Sequence, residues 1–258
     1  MDEQQGAVLT VERRDAVADL VARRGSARVS EIAERFQVSR ATARRDLEKL
    51  EQEGLVERVH GGAVAVREGR PRSVVPSSSS HPKARAIGRA VANLINDGET
   101  VFLGPGPLCL EVAQSLSDHQ DITVITNGLG IAYWLASSAS HRLILTGGQA
   151  EGADMGLVGQ LTRDTISSLR ADRVVLELGG ISAVEGLTDD SLHRAEIARV
   201  LLEAGAIIVI VVAPERVGRV AAAPVAPVTS VDMVVTGREA PPSYLWDLSE
   251  VGLELVLA

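Results

Sequence analysis

The sequence predicts a two-domain chain of the α+β/α/β class, an N-terminal winged helix-turn-helix followed by a mostly parallel, Rossmann-like α/β sheet domain. Three observations carry that expectation. Three short helical periods and a glycine-centred pair of β-compatible runs fill residues 8–66. From Arg67 to Pro82 the text REGRPRSVVPSSSSHP has no apolar period and reads as a linker, assigned to 67–81. Over residues 82–258, Val/Ile/Leu runs then alternate with helical periods.

Each element follows from its residues. Val17, Leu20 and Val21 recur at helical spacing; Ile32, Ala33 and Phe36 do so behind Ser30, and Ala43, Leu47 and Leu50 behind Ser39. Ser30 and Ser39 are the expected N-caps, although neither has the Glu or Gln three residues on that completes a capping box. Gly54 ends the third helix, and LVERV, HGG and AVAV read as a small hairpin or wing. After the linker, an amphipathic run through Ile87, Val91, Leu94 and Ile95 stops at Asn96-Asp97-Gly98. Strand TVFLG, a helix through Glu111 to Leu116, strand ITVITN, a helix to about Ser137 and strand RLILTGG come next. The second half continues with VGQLTRDTISSL as helix, DRVVLELGG as strand, SLHRAEIARVLLEAG as helix and AIIVIVV and DMVVTG as strands. A short helix PPSYLWDLSEVG and a strand LELVLA close it. Near-continuous Val/Ile/Leu strands separated by helices predict a parallel sheet covered on both faces.

Composition narrows the function. Of 258 residues 45% are hydrophobic and only 2% aromatic, so Ala, Val, Leu and Ile must build the core. The longest apolar run, AGAIIVIVVAP from Ala204, is far short of the roughly 18 residues of a membrane span and reads as a buried strand. Cys109 is the single cysteine, and MDEQQGAVLT lacks the basic and apolar parts of a leader, so the expected setting is the cytoplasm with no membrane partner. The net charge of -8 is unevenly spread: through Arg72, 14 Lys+Arg face 13 Asp+Glu, and from Ser73 onward 12 face 21. All but Lys49 of the front cations are Arg, whose planar fork suits phosphates and guanine edges.

Ser30 to Glu53 has the layout of a helix-turn-helix, with a tight FQVS turn before RATARRDLEKLEQE. On a helical wheel Ala43, Leu47 and Leu50 face inward, while Ala41, Arg45, Glu48 and Gln52 point away. Thr42 and Arg44 flank that outer face, and Arg40 lies nearer the core edge. The first half of such a helix enters the major groove, which places Ser39, Thr42, Arg44 and Arg45 for contact. The alternative is an ordinary i,i+4 surface pair of Arg44 with Glu48. Arg at the first turn with Glu deferred opposes the helix dipole, and a negatively charged partner explains that order.

VSEIAERFQVSRATARRDLEKLEQEGLVERVHGGAV resembles the DNA-binding module of DeoR-type bacterial transcriptional regulators through Val38, Ser39, Thr42, Arg44, Arg45, Asp46, Leu47, His60, Gly61, Gly62 and Ala63. Ala43 stands where that family usually has Ile. PKARAIGRAVANLINDGET, VITNG, LTGG, LVG and GLTDD resemble the same family's sensor domain, so the likeness covers nearly the whole chain. It implies a repressor whose isomerase-like back domain senses a sugar, sugar phosphate or related metabolite, bound to double-stranded operator DNA as a homo-oligomer, a dimer or tetramer. The expected DNA contacts are Ser39, Arg40, Thr42, Arg44, Arg45, Lys49, Arg58 and His60.

In an open parallel sheet the ligand lies outside the carboxyl ends of the strands. The expected effector-binding residues are Lys83, Gly104, Gly106, Thr126, Asn127, Gly147, Gly148 and Arg216. Several of these glycines also serve simply as strand ends. The family's first loop, D-S-G-T-T, reads Gly104, Pro105, Gly106, Pro107, Leu108 here, and its later D-S-S-K-F-G reads Ala213 to Gly218, with Arg216 for Lys. Arg194 replaces a frequent Glu. Lost carboxylates and lost N–H donors predict no isomerase turnover and weak phosphate recognition. A dinucleotide fingerprint fails at Cys109, which reads as a small core residue, and five scattered histidines have no ligand spacing, so neither cofactor nor metal is expected. Asp190 is expected to cap the helix that begins near Ser191. Two rivals remain: a sugar-isomerase-like enzyme with an accessory basic module, and a regulator that has lost effector sensing.

Overall fold

A computed structural model describes residues 13–14, 16–18, 20–21, 24–52, 56–59, 61–65, 82–138, 141–152 and 154–258. Two compact units, Met1–Arg70 and Pro71–Ala258, divide the chain. Gly54, His60 and the linker at 67–81 lie outside the described residues.

In the front unit, strand β1 (Ser26–Arg28) leads into helix Val29–Arg35, helix Arg40–Gln52 follows, and β2 (Val56–Val59) and β3 (Gly62–Ala65) form the hairpin. All pairings are antiparallel, in the order β1-β3-β2. The three-residue β1 is too short to carry an alternation, and it was absent from the sequence expectation. Gly62 is required where β3 crosses β1, because a Cβ there would collide with the Ala27 carbonyl. Val17, Val21, Ile32, Ala43, Leu47 and Leu50 are all buried in one core. Ser39 Oγ accepts the Thr42 N–H at 3.0 Å, a true N-cap bond. Ser30 is not a cap: it lies within the first turn of its helix, whose N-cap is Arg28 and has no side-chain bond.

The back unit is built on seven parallel strands: β4 (Thr100–Leu103), β5 (Thr123–Thr126), β6 (Arg142–Leu145), β9 (Ala171–Glu177), β12 (Gly205–Val211), β14 (Met233–Thr236) and β15 (Glu254–Leu257). Their order is β15-β14-β12-β9-β4-β5-β6. The chain runs outward from β4 through β6, returns to β9 beside β4, and then runs outward the other way. That reversal creates a crevice at the carboxyl ends of β4 and β9. Two apolar clusters fill the faces of the sheet, one around Phe102, Val174 and Ile210 and the other around Leu103, Val175 and Val209.

Short antiparallel pieces decorate this sheet. β7 (Gln149–Glu151) pairs with β8 (Gly156–Val158), and β11 (Gly186–Asp189) lies between β10 (Gly180–Ser182) and β13 (Ala223–Ala226). The run from Ala204 departs from a fully buried strand, since Ala206 and Ile207 are exposed and continuous burial starts only at Ile208. Asp190 does not cap the helix Leu192–Leu202. Ser191 does, accepting the Arg194 N–H, while Asp190 pairs with Arg219 at 2.6 Å and sits below its usual pKa range for that reason.

Candidate functional site

The helix Arg40–Gln52 turns its apolar residues into the core and leaves Arg40, Arg44, Arg45, Glu48 and Lys49 exposed. Ser39 and Thr42 share a hydroxyl–hydroxyl hydrogen bond of 2.9 Å at its start. No acidic residue lies in the first turn, and Arg40, Arg44 and Arg45 form no ion pair among the described residues. Glu48 pairs instead with Arg58 of β2 at 3.2 Å, and Glu51 approaches the same guanidinium at 3.7 Å. Arg58 is therefore held by two carboxylates of the helix rather than left alone. Asp46 receives a two-toothed bond from Arg13, at 2.8 and 3.2 Å, and this fixes the helix against the first helical segment. His60 lies outside the described residues.

At the crevice of the back unit, β4 gives way to Gly104, Pro105 and Gly106, and helix Pro107–Ser115 begins. Gly106 has φ +137°, and a Cβ on it would run into the Glu177 carboxylate. Glu177, the last residue of β9, accepts the Leu108 N–H through Oε2 at 2.7 Å. Its carboxylate fills the N-terminal seat of that helix, where an external anion would otherwise be favoured. Burial pushes Glu177 up to about 7, against the Leu108 amide and Arg216, which pull it down.

A cavity of about 20 Å³ opens beside this carboxylate, with Asn127, Asp189 and Arg194 among its polar walls and Leu176, Ile197 and Leu201 among its apolar ones. That volume holds about one water-sized group. Asn127 is 1% exposed; its Nδ2 donates to the Leu157 carbonyl at 2.9 Å, and its Oδ1 has no partner among the described residues. Arg194 is surrounded by acceptors: it forms ion pairs with Asp154 and, at 3.3 Å, with Asp189. The β7–β8 hairpin is held at this edge by Asp154 and by Glu151, which accepts from Ser191 and bonds His193 Nδ1 at 2.6 Å.

Of the residues expected from sequence, Gly104 and Asn127 line the cavity and Gly106 abuts Glu177. Arg216 lies close by, donating to the Leu178 carbonyl at 3.1 Å. Thr126 is fully buried and serves the backbone, donating to the Leu103 carbonyl at 2.7 Å and accepting from Gly128 at 3.0 Å. Gly147 and Gly148 pack on the helix Gln160–Ser168, where Thr162 Oγ1 donates to the Gly147 carbonyl at 2.8 Å. Lys83 pairs with Glu239 at 2.7 Å and does not reach the cavity. Asp189, which the sequence offered either as ligand-facing or as a helix cap, lines the cavity, whereas sequence reasoning missed Glu177 and Asp154. A carboxylate inside the apolar run of β9 was the one available signal. Cys109 is buried, and burial raises its thiol well above the ordinary range.

Comparison with known proteins gives two family matches. Residues 13–68 match a DeoR-like helix-turn-helix domain, and residues 79–238 match a DeoR C terminal sensor domain. The glycerol-3-phosphate regulon repressor of Escherichia coli (strain K12) is 31% identical over 248 residues, covering 95% of this chain and 98% of that protein. The lactose phosphotransferase system repressor of Staphylococcus epidermidis is 32% identical over 176 residues, or 66% of this chain and 69% of that one. Among solved structures, a ribose 5-phosphate isomerase A from Methanocaldococcus jannaschii matches with 9% identity and a TM-score of 0.39, covering 52% of each chain.

Proposed function

The chain belongs to the DeoR family of transcriptional regulators, and from that premise we propose that it is a repressor whose residues 8–66 bind duplex operator DNA and whose residues 82–258 sense a small metabolite. The observation that carries the DNA half is the pair Arg44 and Arg45, exposed beside Ser39 and Thr42 at the start of a helix whose other face is packed. Cations there weaken the free helix, and a phosphate or guanine edge compensates them. Lys49 extends the cationic face, while Arg58 supports it through Glu48. A dimer or tetramer in the cytoplasm presents two such helices to two half-sites, which multiplies specificity. Effector binding changes operator affinity by the coupling free energy between the sites. Kinship with repressors of glycerol-3-phosphate and lactose regulons supports a sugar, sugar phosphate or related metabolite as the effector class.

Selection of bound duplexes from a random library by the full chain tests this reading. Enrichment of a two-fold related motif is expected; a selected pool no different from the input overturns it. A second reading, a sugar-isomerase-like enzyme, is favoured by one observation: Glu177 sits in the crevice with a pKa of about 7, suited to general base work. Its Leu108 bond and the small cavity favour a binding role. Turnover of pentose or hexose phosphates by the purified chain decides between them.

A further inference from the structure

The crevice is a place built from acceptors. Among the described residues Asn127 Oδ1 is buried and unpartnered at the cavity wall, Glu177 Oε2 accepts from the Leu108 amide, and Asp189 closes another side. An orphaned buried acceptor costs stability until a donor reaches it. The one cation lining the cavity among the described residues, Arg194, is already neutralised by Asp154 and Asp189. Facing Glu177 from the packed elements are Arg216, Asp154, Arg194 and the buried Cys109 thiol. With Glu177 protonated, two carboxylates, Asp154 and Asp189, balance two guanidiniums, Arg194 and Arg216; once Glu177 ionises, its charge is the one left without a cation of its own. An arriving phosphate would find its helix N-terminus already taken by Glu177 and no N–H at Pro105 or Pro107.

We infer that the effector is a hydroxylated amine rather than a phosphomonoester, and that its ammonium head enters this cavity between Glu177 and Asn127. The inference rests on the reading of residues 82–258 as the sensing domain. A volume of about 20 Å³ suits one such head group, and the ammonium supplies the donors and the charge that the walls lack. The rest of the molecule then lies at the mouth beside Pro105 and Arg194. Binding draws on the ionised form of Glu177, so below about pH 7 the ammonium displaces a proton that burial retains there.

Calorimetry on the full chain with serinol, glycerol and glycerol phosphate isolates the head group, because serinol is glycerol with an ammonium in place of its central hydroxyl. Serinol should bind at least about tenfold more tightly than either companion, and about tenfold more tightly at pH 8 than at pH 6 as Glu177 loses its proton. Glu177→Gln should reduce serinol to the affinity of glycerol. If that variant fails to fold, the pH series on the wild-type chain stands in its place. Glycerol phosphate binding as tightly as serinol, no serinol binding, or an affinity unchanged between pH 6 and pH 8 overturns the inference. Operator selection on the same preparation separates the two levels: intact DNA binding without serinol binding removes the amine alone, and absent DNA binding removes the regulator.

Discussion

Replacing Glu177 by Gln should change how the stability of the back unit depends on pH. The carboxyl is buried at the end of β9, and its pKa is pushed from the ordinary 4.5 to about 7. The folded state therefore holds this proton more tightly than the unfolded state does. Its contribution is complete below about pH 4.5, declines as pH rises, and levels off above about pH 7. Across that window the loss amounts to about 3 kcal/mol, the order of magnitude set by 1.4 kcal/mol per tenfold change in proton affinity. A Gln side chain is neutral throughout and keeps an oxygen for the Leu108 N–H, so the variant should lack the decline. Its new amide hydrogens carry a cost of about 1 kcal/mol that does not vary with pH. The variant should thus match or trail the wild type at pH 4.5 to 5 and exceed it by roughly 2 kcal/mol at pH 8. Urea unfolding followed by tryptophan fluorescence reads this unit alone, since Trp134 and Trp246 are the only two tryptophans. Parallel stability curves for the two proteins from pH 5 to pH 8 would refute the burial argument.

Other expectations concern the frame around each site. Asp46→Ala removes the acceptor of the Arg13 fork and should cost the front unit about 1 to 3 kcal/mol, read by chemical unfolding followed by far-UV dichroism; a change under about 0.5 kcal/mol would show the pair to be solvated. Gly106→Val forces a Cβ into the Glu177 carboxylate at a φ of +137° and should lower the thermal midpoint of the back unit while operator binding persists; an unchanged midpoint would mean the loop relaxes freely.

How far the sequence could be read depends on the range over which each feature is encoded. The recognition helix was legible because Ala43, Leu47 and Leu50 share one face and all three are buried. The parallel strands were legible because each is a run of Val, Ile and Leu. Three-residue strands such as β1, β7 and β10 carry no period, and they form because a partner edge is available, the distant β3 for β1 and the next strand along the chain for β7 and β10. Ser30 failed as a cap because the helix begins at Val29, before it, whereas Ser39 succeeded with the same residue type. At the crevice, the loops that end in Gly104 and Asn127 could be placed from the sheet topology alone. Glu177 could not, since its partner Leu108 lies 69 residues away, and Arg194 shows its role only once Asp154 and Asp189 are brought to it. Thr126 and the Gly147-Gly148 pair stood at the right strand ends, and there the Thr126 hydroxyl and the Gly147 carbonyl are engaged by neighbouring protein groups.

The claim that the Arg-bearing face of the helix Arg40–Gln52 reads DNA is tested most directly by fluorescence anisotropy of the full chain and of Arg45→Ala on a selected operator duplex and a scrambled one, at two salt concentrations. The wild type should prefer the operator. Arg45→Ala should cost about 1 to 3 kcal/mol there and relax the preference at one base position, with a smaller loss on scrambled DNA. Affinity of both proteins should fall as salt rises, as counterion release requires. Equal binding of wild type and variant to both duplexes would contradict the account.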